Sequence, residues 1–148
     1  MIAHPPKAYY VGVRQPMRDL FQPVKNAMPY SGLPKKPEGG LWMSPWSSYA
    51  PAWVEFLLDS GLRFKDWDRL GVWEVDVSGL KTARVAPTDP YPDFEELARE
   101  YDLFFLMARD VCGWTYTWDI PTFVLLRWVD GLEFRKIADS VKQFKDRR

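Results

Sequence analysis

The chain has 148 residues, a size typical of one domain, and its 20 basic residues balance its 20 acidic residues. A net charge of zero provides no general attraction to phosphate backbones. A single cysteine excludes a disulfide framework, and a single cysteine with a single histidine near the N-terminus argues against a structural zinc site and a Cys–His catalytic pair. No apolar run approaches the length of about 18 residues that spans a membrane, and no apolar signal segment opens the chain, so we expect a cytoplasmic protein.

The first predicted strand covers residues 8–13, where aromatic and β-branched side chains dominate. Residues 14–40 are rich in proline and glycine, which denies them a long helix or a central strand. We expect an irregular Pro-rich loop there, with one short turn around residues 17–21. A long irregular connection inside a compact domain is typical of a functional segment.

A second predicted strand covers residues 41–44 and stops at Pro45. Apolar side chains then recur at helical spacing, and they are Ala50, Trp53, Val54, Leu57 and Leu58. We expect this amphipathic helix to begin at an N-cap at Ser47 or Ser48 and to end at Gly61.

The middle of the chain predicts two strands and a short helix. Residues 71–77 alternate valines with a Trp, Glu and Asp set, as a half-buried strand requires, and residues 82–85 form a short strand. Asp93 followed by Glu96 is a capping box, which predicts the start of a helix with apolar residues facing inward.

Two further strands and a helix are predicted in the last third of the chain. Residues 101–107 and 121–127 are almost wholly apolar, which is typical of strands buried on both faces. A helical stripe follows, formed by Phe134, Ile137, Ala138, Val141 and Phe144. The whole chain therefore predicts a single α+β domain over residues 1–148.

Several signatures of common chemistry are missing from the sequence. It contains neither a G-x-G-x-x-G nor a P-loop motif, and no H-E-x-x-H metal motif. The sequence has one histidine, His4, so a Ser-His triad would have to use that residue near the N-terminus. These absences leave carboxylate, Ser, Tyr and Arg chemistry, and we expect no metal site.

The segments YYVG, KPEGGLWMSP, GVWEVDVSGLK, FEELAREYD and YTWDIPTFVLL together resemble a family of small phage-encoded and bacterial proteins. That family carries KPxGGLW followed by Ser-Pro, and a late YGWD-type motif. More remotely, the pattern is similar to the mono-ADP-ribosyltransferase-like fold. The resemblance spans roughly residues 8–128, and its implied architecture is a mixed β core with three or so short helices.

The resemblance implies NAD as cofactor and a set of site residues. Nicotinamide would stack on an aromatic ring while backbone groups of the first strand hold its amide. The residues proposed to bind the cofactor are Tyr10, Gly12, Trp42 and Ser44. The catalytic candidates are Ser44, which falls at the Ser/Thr step, Arg14, the one arginine close to the first strand, and Glu100 and Asp119, nearby substitutes for the late glutamate. The family's first-strand basic residue falls on Val11 here, and its late glutamate falls in a stretch whose only acid is Asp102.

Three functions follow as hypotheses. The first is a protein that binds or modifies a host protein on a degenerate transferase fold, through the basic Pro-rich loop and exposed aromatic side chains. The second is an active NAD-dependent mono-ADP-ribosyltransferase. The third is a nucleic-acid-binding protein that uses the 14–40 loop and the C-terminal helix. Ser44 is equally well explained as a turn or capping hydroxyl, and Trp42 as part of the core.

Overall fold

Seven strands in two sheets form the centre of the computed structural model, which describes residues 4–27, 36–60, 69–86, 89–107 and 120–147. The strands are β1 (Lys7–Gly12), β2 (Leu41–Met43), β3 (Gly71–Asp76), β4 (Thr82–Val85), β5 (Leu103–Leu106), β6 (Thr122–Leu125) and β7 (Arg135–Ala138). The first sheet has the order β1-β3-β7 and is antiparallel. The second has the order β2-β6-β5-β4, with β4 parallel to β5.

Helical segments cover the outer face of each sheet. Helices α1 (Ala52–Asp59) and the C-terminal 3₁₀ helix (Val141–Arg147) pack on the outer face of the first sheet. Helix α2 (Phe94–Glu100) packs on the outer face of the second sheet. A short 3₁₀ turn at Arg18–Leu20 matches the turn predicted within the Pro-rich loop. The predicted α+β class and single compact unit are confirmed, and no helix among the described ranges is long and apolar enough to cross a bilayer.

The main core lies between the two sheets. Strands β5 and β6 are buried along their whole length, as their apolar sequences predict. The rings of Phe105 and Phe123 meet there at 4.5 Å between centroids. Each fully buried side chain of this size contributes about 1.5–3 kcal/mol, so this pair of strands supplies much of the stability that keeps the sheets together.

Strand β3 corrects the predicted face assignment. Trp73, Val75 and Val77 face the second sheet, whereas Val72 packs on the other face, against α1 and the C-terminal 3₁₀ helix. The valines do not share one face because three positions separate Val72 from Val75, and strand side chains alternate at every residue. The burial of Trp73 with the later valines places the large ring in the main core.

The predicted C-terminal helix was wrong. Residues 135–138 form strand β7, which pairs with the edge of β3, and only residues 141–147 turn helically. The backbone N–H groups of Asp139 and Ser140 both donate to the side-chain oxygen of Gln143, at 2.6 and 3.1 Å, which fixes the turn between the two elements. Pairing with an open sheet edge satisfies the backbone and outweighs the helical spacing of the apolar side chains.

The capping box at the start of α2 is confirmed on the Asp93 side. The Asp93 carboxylate accepts the Glu96 N–H at 3.1 Å, and it also accepts the side-chain N–H of Asn26 at 2.8 Å. The Asn26 hydrogen bond, with the Glu96 N–H second, lowers the pKa of Asp93. The Asn26 amide oxygen in turn accepts the Phe94 N–H at 2.8 Å, so this contact ties the Pro-rich loop to α2.

The two described ends of the Pro-rich loop are joined to each other. Lys25 and Glu38 exchange a pair of backbone hydrogen bonds, both at 2.8 Å, and the Gly40 N–H donates to the Gln22 carbonyl at 2.7 Å. Gly39 and Gly40 have φ values of +68° and +69°, which side-chain-bearing residues rarely adopt. The Gly-Gly step therefore allows the chain to turn from the loop into β2.

Replacing Gly39 by alanine tests this turn. A Cβ at residue 39 would lie 2.2 Å from the Pro23 carbonyl oxygen, and the left-handed backbone adds about 1–2 kcal/mol for a residue other than glycine. We expect Gly39→Ala to lower the free energy of unfolding by at least that amount in urea denaturation. Gly79→Ala is the matched control, because nothing lies within 4 Å of a Cβ there, and it should change stability by less than about 0.5 kcal/mol. Equal stability of the two variants would contradict the role given to Gly39.

Candidate functional site

Among the described residues, the backbones of the two sheets are hydrogen-bonded to each other at one junction, between β1 and the residue that follows β2. Tyr9 N–H donates to the Ser44 carbonyl at 2.8 Å, and Ser44 N–H donates to the Tyr9 carbonyl at 3.0 Å. No further pairing of β1 with β2 occurs in the described residues, because β2 pairs with β6 on its other side and belongs to the second sheet. The strands therefore diverge from the Tyr9–Ser44 bridge and leave an opening between them.

Ser44 also fixes the start of α1. Its side chain is 0% exposed, and its hydroxyl oxygen accepts the N–H of Trp53, in the first turn of α1, at 3.0 Å. The N-cap position is Pro51, so the predicted N-cap at Ser47 or Ser48 was wrong. A proline side chain cannot accept a hydrogen bond, and the hydroxyl arrives instead from the preceding strand. The predicted stop at Gly61 lies outside the described residues.

The turn before α1 closes around the carboxylate of Glu55. The backbone N–H groups of Ser48, Tyr49 and Ala50 all donate to one oxygen of this carboxylate, at 2.6, 3.2 and 3.2 Å. Three converging amides form the kind of concavity that binds an anion, and here the chain's own side chain fills it. The first turn of α1 is therefore held from both sides, by Ser44 and by Glu55.

A cleft of about 580 Å³ opens where β1 and β2 diverge. Its described lining includes four aromatic side chains from three elements, which are Tyr9 and Tyr10 of β1, Trp42 of β2 and Trp53 of α1, together with the apolar side chains of Val11, Leu41 and Met43. Lys36 and Pro37 line it from the end of the Pro-rich loop, and Ile120 and Thr122 from the start of β6. The volume lies in the range of sites that enclose small organic ligands, and the aromatic walls suit a flat ring.

The backbone of Val11 contributes a polar edge to this cleft. Strand backbone groups alternate between the two edges, and since Tyr9 uses its N–H and C=O toward Ser44, those of Val11 point to the same edge. Within the described part of the chain neither group of Val11 has a hydrogen-bond partner, because β2 has already diverged. Val11 is half-buried and lines the cleft. A donor and an acceptor thus stand side by side, available to a ligand.

Tyr9 connects the cleft to a charged cluster on the outer face of the first sheet. Its hydroxyl donates to Glu74 at 2.9 Å, and Glu74, 15% exposed, also pairs with Arg135 at 2.8 Å and with Lys7 at 3.4 Å. Burial raises the pKa of Tyr9, and the bond to the Glu74 carboxylate raises it further, to about 12. Burial acts to raise the pKa of Glu74, but the bonds from Tyr9, Arg135 and Lys7 together lower it.

These two pKa shifts define the pH range in which the cluster around Glu74 stabilises the folded state. Because the pKa of Glu74 is lowered, its stabilising effect is present above the ordinary carboxyl pKa and is lost as the pH falls. Because the pKa of Tyr9 is raised, the neutral phenol stabilises the folded state until the pH rises from its ordinary value of 10.0 toward 12. At neutral pH the hydrogen bond from the Tyr9 hydroxyl to Glu74 therefore holds the Tyr9 ring in place as one wall of the cleft.

Of the four residues expected to bind cofactor, two line the cleft and two lie next to it. Tyr10 and Trp42 line the cleft, and burial raises the pKa of Tyr10, so its hydroxyl remains a neutral donor. Gly12 lies under the Tyr10 ring, where a Cβ would come within 2.5 Å of the phenol oxygen. Ser44 lies behind the wall and is fully buried. Gly12 therefore allows the position of the Tyr10 ring.

The residues expected to act in catalysis are not brought together. Arg14 is exposed beyond the end of β1. Glu100 ends α2 and pairs with Lys81 at 3.6 Å, beside β4, which lies at the edge of the second sheet opposite β2. Asp119 lies outside the described residues, although Ile120, its neighbour in sequence, lines the cleft. No carboxylate is among the described residues that line the cleft.

Sequence reasoning missed three contributors to the cleft. Trp53 was assigned to the helix core because it lies on the apolar stripe, yet it is 39% exposed and lines the opening. Val11 lines the cleft with its backbone; the resemblance implied backbone groups of the first strand, but no residue pattern signals which residue supplies them. Lys36 belongs to the KPxGGLW segment, and that motif was the available signal for it.

Comparisons of the chain with protein-family models, with curated proteins and with solved structures found no match. Within the described residues, no group of three His, Cys, Asp or Glu side chains is arranged to hold a metal ion. The argument for function therefore depends on the cleft and on the residues around it.

Removing the Ser44 hydroxyl tests its structural role. Ser44→Ala leaves the Trp53 N–H without its acceptor, and loss of a capping oxygen costs about 0.5–2 kcal/mol. We expect that decrease in the free energy of unfolding, measured by urea denaturation. Ser48→Ala is the matched control, because the hydrogen bonds of Ser48 in the described region use backbone atoms, and it should be nearly neutral. A neutral Ser44→Ala would contradict the capping role.

Proposed function

We propose that this protein is a degenerate, phage-encoded ADP-ribosyltransferase-like protein that binds NAD through its nicotinamide ring without transferring ADP-ribose, and acts on a host factor by binding it. The observation that carries the proposal is the backbone N–H and C=O of Val11, which have no partner within the described residues and lie at the edge of an aromatic cleft. The phage origin comes from the KPxGGLW resemblance alone.

A ring carboxamide suits this cleft better than other small groups. Its N–H donates and its carbonyl accepts, so one amide satisfies both the C=O and the N–H of Val11, as a neighbouring strand would. The ring attached to it is flat and fits among Tyr10, Trp42 and Trp53. A buried donor or acceptor that is left without a hydrogen bond costs about 1–3 kcal/mol. A ligand that bonds both groups of Val11 should therefore be selected over one that bonds a single group.

The absence of transfer is supported by the groups around the cleft. Release of nicotinamide develops positive charge on the ribose, and an enzyme stabilises it with a carboxylate beside the sugar. The described lining of the cleft holds no carboxylate, and the Ser44 hydroxyl already accepts a backbone N–H. Binding without turnover therefore agrees with these side chains better than an active transferase does.

Ligands that differ in one functional group test the proposal. We expect nicotinamide and benzamide to bind, and nicotinic acid to bind about 5- to 150-fold more weakly. The carboxylate of nicotinic acid cannot donate to the Val11 carbonyl, which is then left without a hydrogen bond. Isothermal titration calorimetry measures the three dissociation constants. Trp53→Ala should weaken nicotinamide and benzamide together, by removing a wall that both rings share.

Two outcomes of these measurements would count against the proposal. Equal affinity for nicotinic acid and nicotinamide would remove the role of Val11. Transfer of labelled ADP-ribose from NAD to any protein or nucleic acid would show an active enzyme, and the proposed loss of catalysis would then be wrong.

Binding of a host factor is supported by a separate surface. Val13, Met17 and Leu20 follow β1 and are 63%, 53% and 49% exposed, which is unusual for large apolar side chains so close in sequence. Arg14 and Arg18 alternate with them, and Arg18 pairs with Asp130 at 3.2 Å. Apolar and arginine side chains together are typical of protein interfaces.

Variants of this surface test the host-factor proposal. We expect one host protein to co-purify with the chain and to be lost from Met17→Ser/Leu20→Ser, whereas Trp53→Ala should retain it because that residue lies in the cleft. Quantitative mass spectrometry of the purified material measures both. Retention of the same proteins by every variant would contradict the proposal, and retention on DNA that falls with added salt would favour nucleic-acid binding instead.

A further inference from the structure

Two polar side chains are buried among the described residues, and they lie at the same corner of the molecule. Ser44 is fully buried, and Thr122 is 7% exposed. Extending the register of β2 against β6 by one residue places them opposite each other. Ser44 lies behind the wall of the cleft, whereas Thr122 is among the residues that line it. A buried hydroxyl at the wall of a largely aromatic site is a group that a ligand can contact.

The proton of the Thr122 hydroxyl is already used. The hydroxyl donates to the Ile120 carbonyl at 2.9 Å, and Ile120 also lines the cleft. A hydroxyl has one proton and two acceptor lone pairs, so the Thr122 oxygen can still accept a hydrogen bond but has no second proton to donate. Toward a ligand, this side chain therefore acts as an acceptor alone.

We propose that Thr122 is a specificity-determining residue of the cleft, which accepts a hydrogen bond from a second donor group on the ligand. The ligand class is then a flat ring that carries a carboxamide at one end and a hydroxyl or amino group at the other. This inference rests on the proposed function, because the carboxamide is the group assigned to Val11, but it concerns the opposite side of the cleft.

The positions of Val11 and Thr122 suit such a ring. Val11 belongs to β1 and Thr122 to β6, and β2 lies between these strands, paired with β6 and joined to β1 at the junction. Adjacent strands lie about 4.8 Å apart, so β1 and β6 are about 10 Å apart at the junction. An aromatic ring with a polar group at each end, extended on both sides by a hydrogen bond of about 2.9 Å, reaches across that distance.

The same hydroxyl bond occurs away from the cleft. Thr82, the first residue of β4, donates to the Leu80 carbonyl at 3.1 Å, as Thr122, the first residue of β6, donates to Ile120. Strand β4 is the edge of the second sheet opposite β2, and Thr82 is not among the described residues that line the cleft. The bond therefore belongs to the start of a strand in both places, and Thr122 differs by its place at the cleft wall. Thr82 is the matched control.

The test compares meta- and para-hydroxybenzamide with the corresponding fluorobenzamides on the wild type, Thr122→Val, Thr122→Ser and Thr82→Val. Fluorine is close to a hydroxyl in size but cannot donate a hydrogen bond, so the ratio of the two dissociation constants measures the second donor alone. Isothermal titration calorimetry gives the constants, with benzamide as the reference ligand. Thermal unfolding confirms that each variant is folded, and Thr122→Ala removes the same acceptor if the valine variant does not fold.

We expect the wild type to bind at least one hydroxybenzamide about 2- to 12-fold more tightly than the matching fluorobenzamide, which is the gain from one hydrogen bond. Thr122→Val should abolish this preference and still bind benzamide, because valine has the shape of threonine but no acceptor. Thr122→Ser should restore the preference, and Thr82→Val should behave as the wild type.

The remaining outcomes separate this inference from the proposed function. If benzamide binds and the wild type shows no preference for the hydroxyl, or if Thr122→Val keeps that preference or Thr122→Ser fails to restore it, the inference is overturned and the ring site stands. If the preference depends on Thr122 but nicotinic acid binds as tightly as nicotinamide, the inference stands and the role proposed for Val11 fails. If none of these rings binds to the wild type, both are wrong.

Discussion

The pair of hydrogen bonds between Tyr9 and Ser44 is the contact on which the rest of the structure depends. The edge strands of the two sheets meet at this point. The neighbouring residues of β1 pair with β3, and those of β2 pair with β6. Because the sheets twist, strands β1 and β2 diverge beyond the hydrogen bonds that join them, and the cleft between these strands follows from this divergence. The same serine receives an amide of α1, which fixes the helix relative to that corner.

The aromatic side chains of the cleft are positioned by contacts outside it. Tyr9 is held by Glu74, which itself is held by cations from the first and last strands of its sheet. The indole N–H of Trp42 donates to the Gly39 carbonyl at 3.0 Å, and Trp53 stacks on Phe56 at 5.3 Å. These side chains therefore have little freedom to rearrange, and a site whose walls are already ordered loses less entropy when a ligand enters.

The sequence predicted the elements whose signals are local. Strands β1 to β6 and the start of α2 were found from composition, alternation and the Asp93 cap. Prediction failed where tertiary contacts decide the structure. Residues 135–138 have the apolar spacing of a helix but pair with β3. The hydroxyl that caps α1 belongs to Ser44, nine residues before Trp53, whose N–H it accepts. Tyr10 and Trp42 were named as site residues by resemblance and line the cleft, whereas Val11 presents to it backbone groups that nearly every residue has.

The position of β7 has a consequence for the order in which the chain can fold. Strand β3 has β1 on one side and β7 on the other, and β7 is made about sixty positions after β3. During synthesis the first sheet lacks an edge until β7 has left the ribosome, and loop closure over such a separation is slow. Tyr9 gains its full set of charged neighbours only when Arg135 arrives. The contacts that hold Tyr9 at the wall of the cleft are therefore completed late in folding, after β7 has joined the sheet.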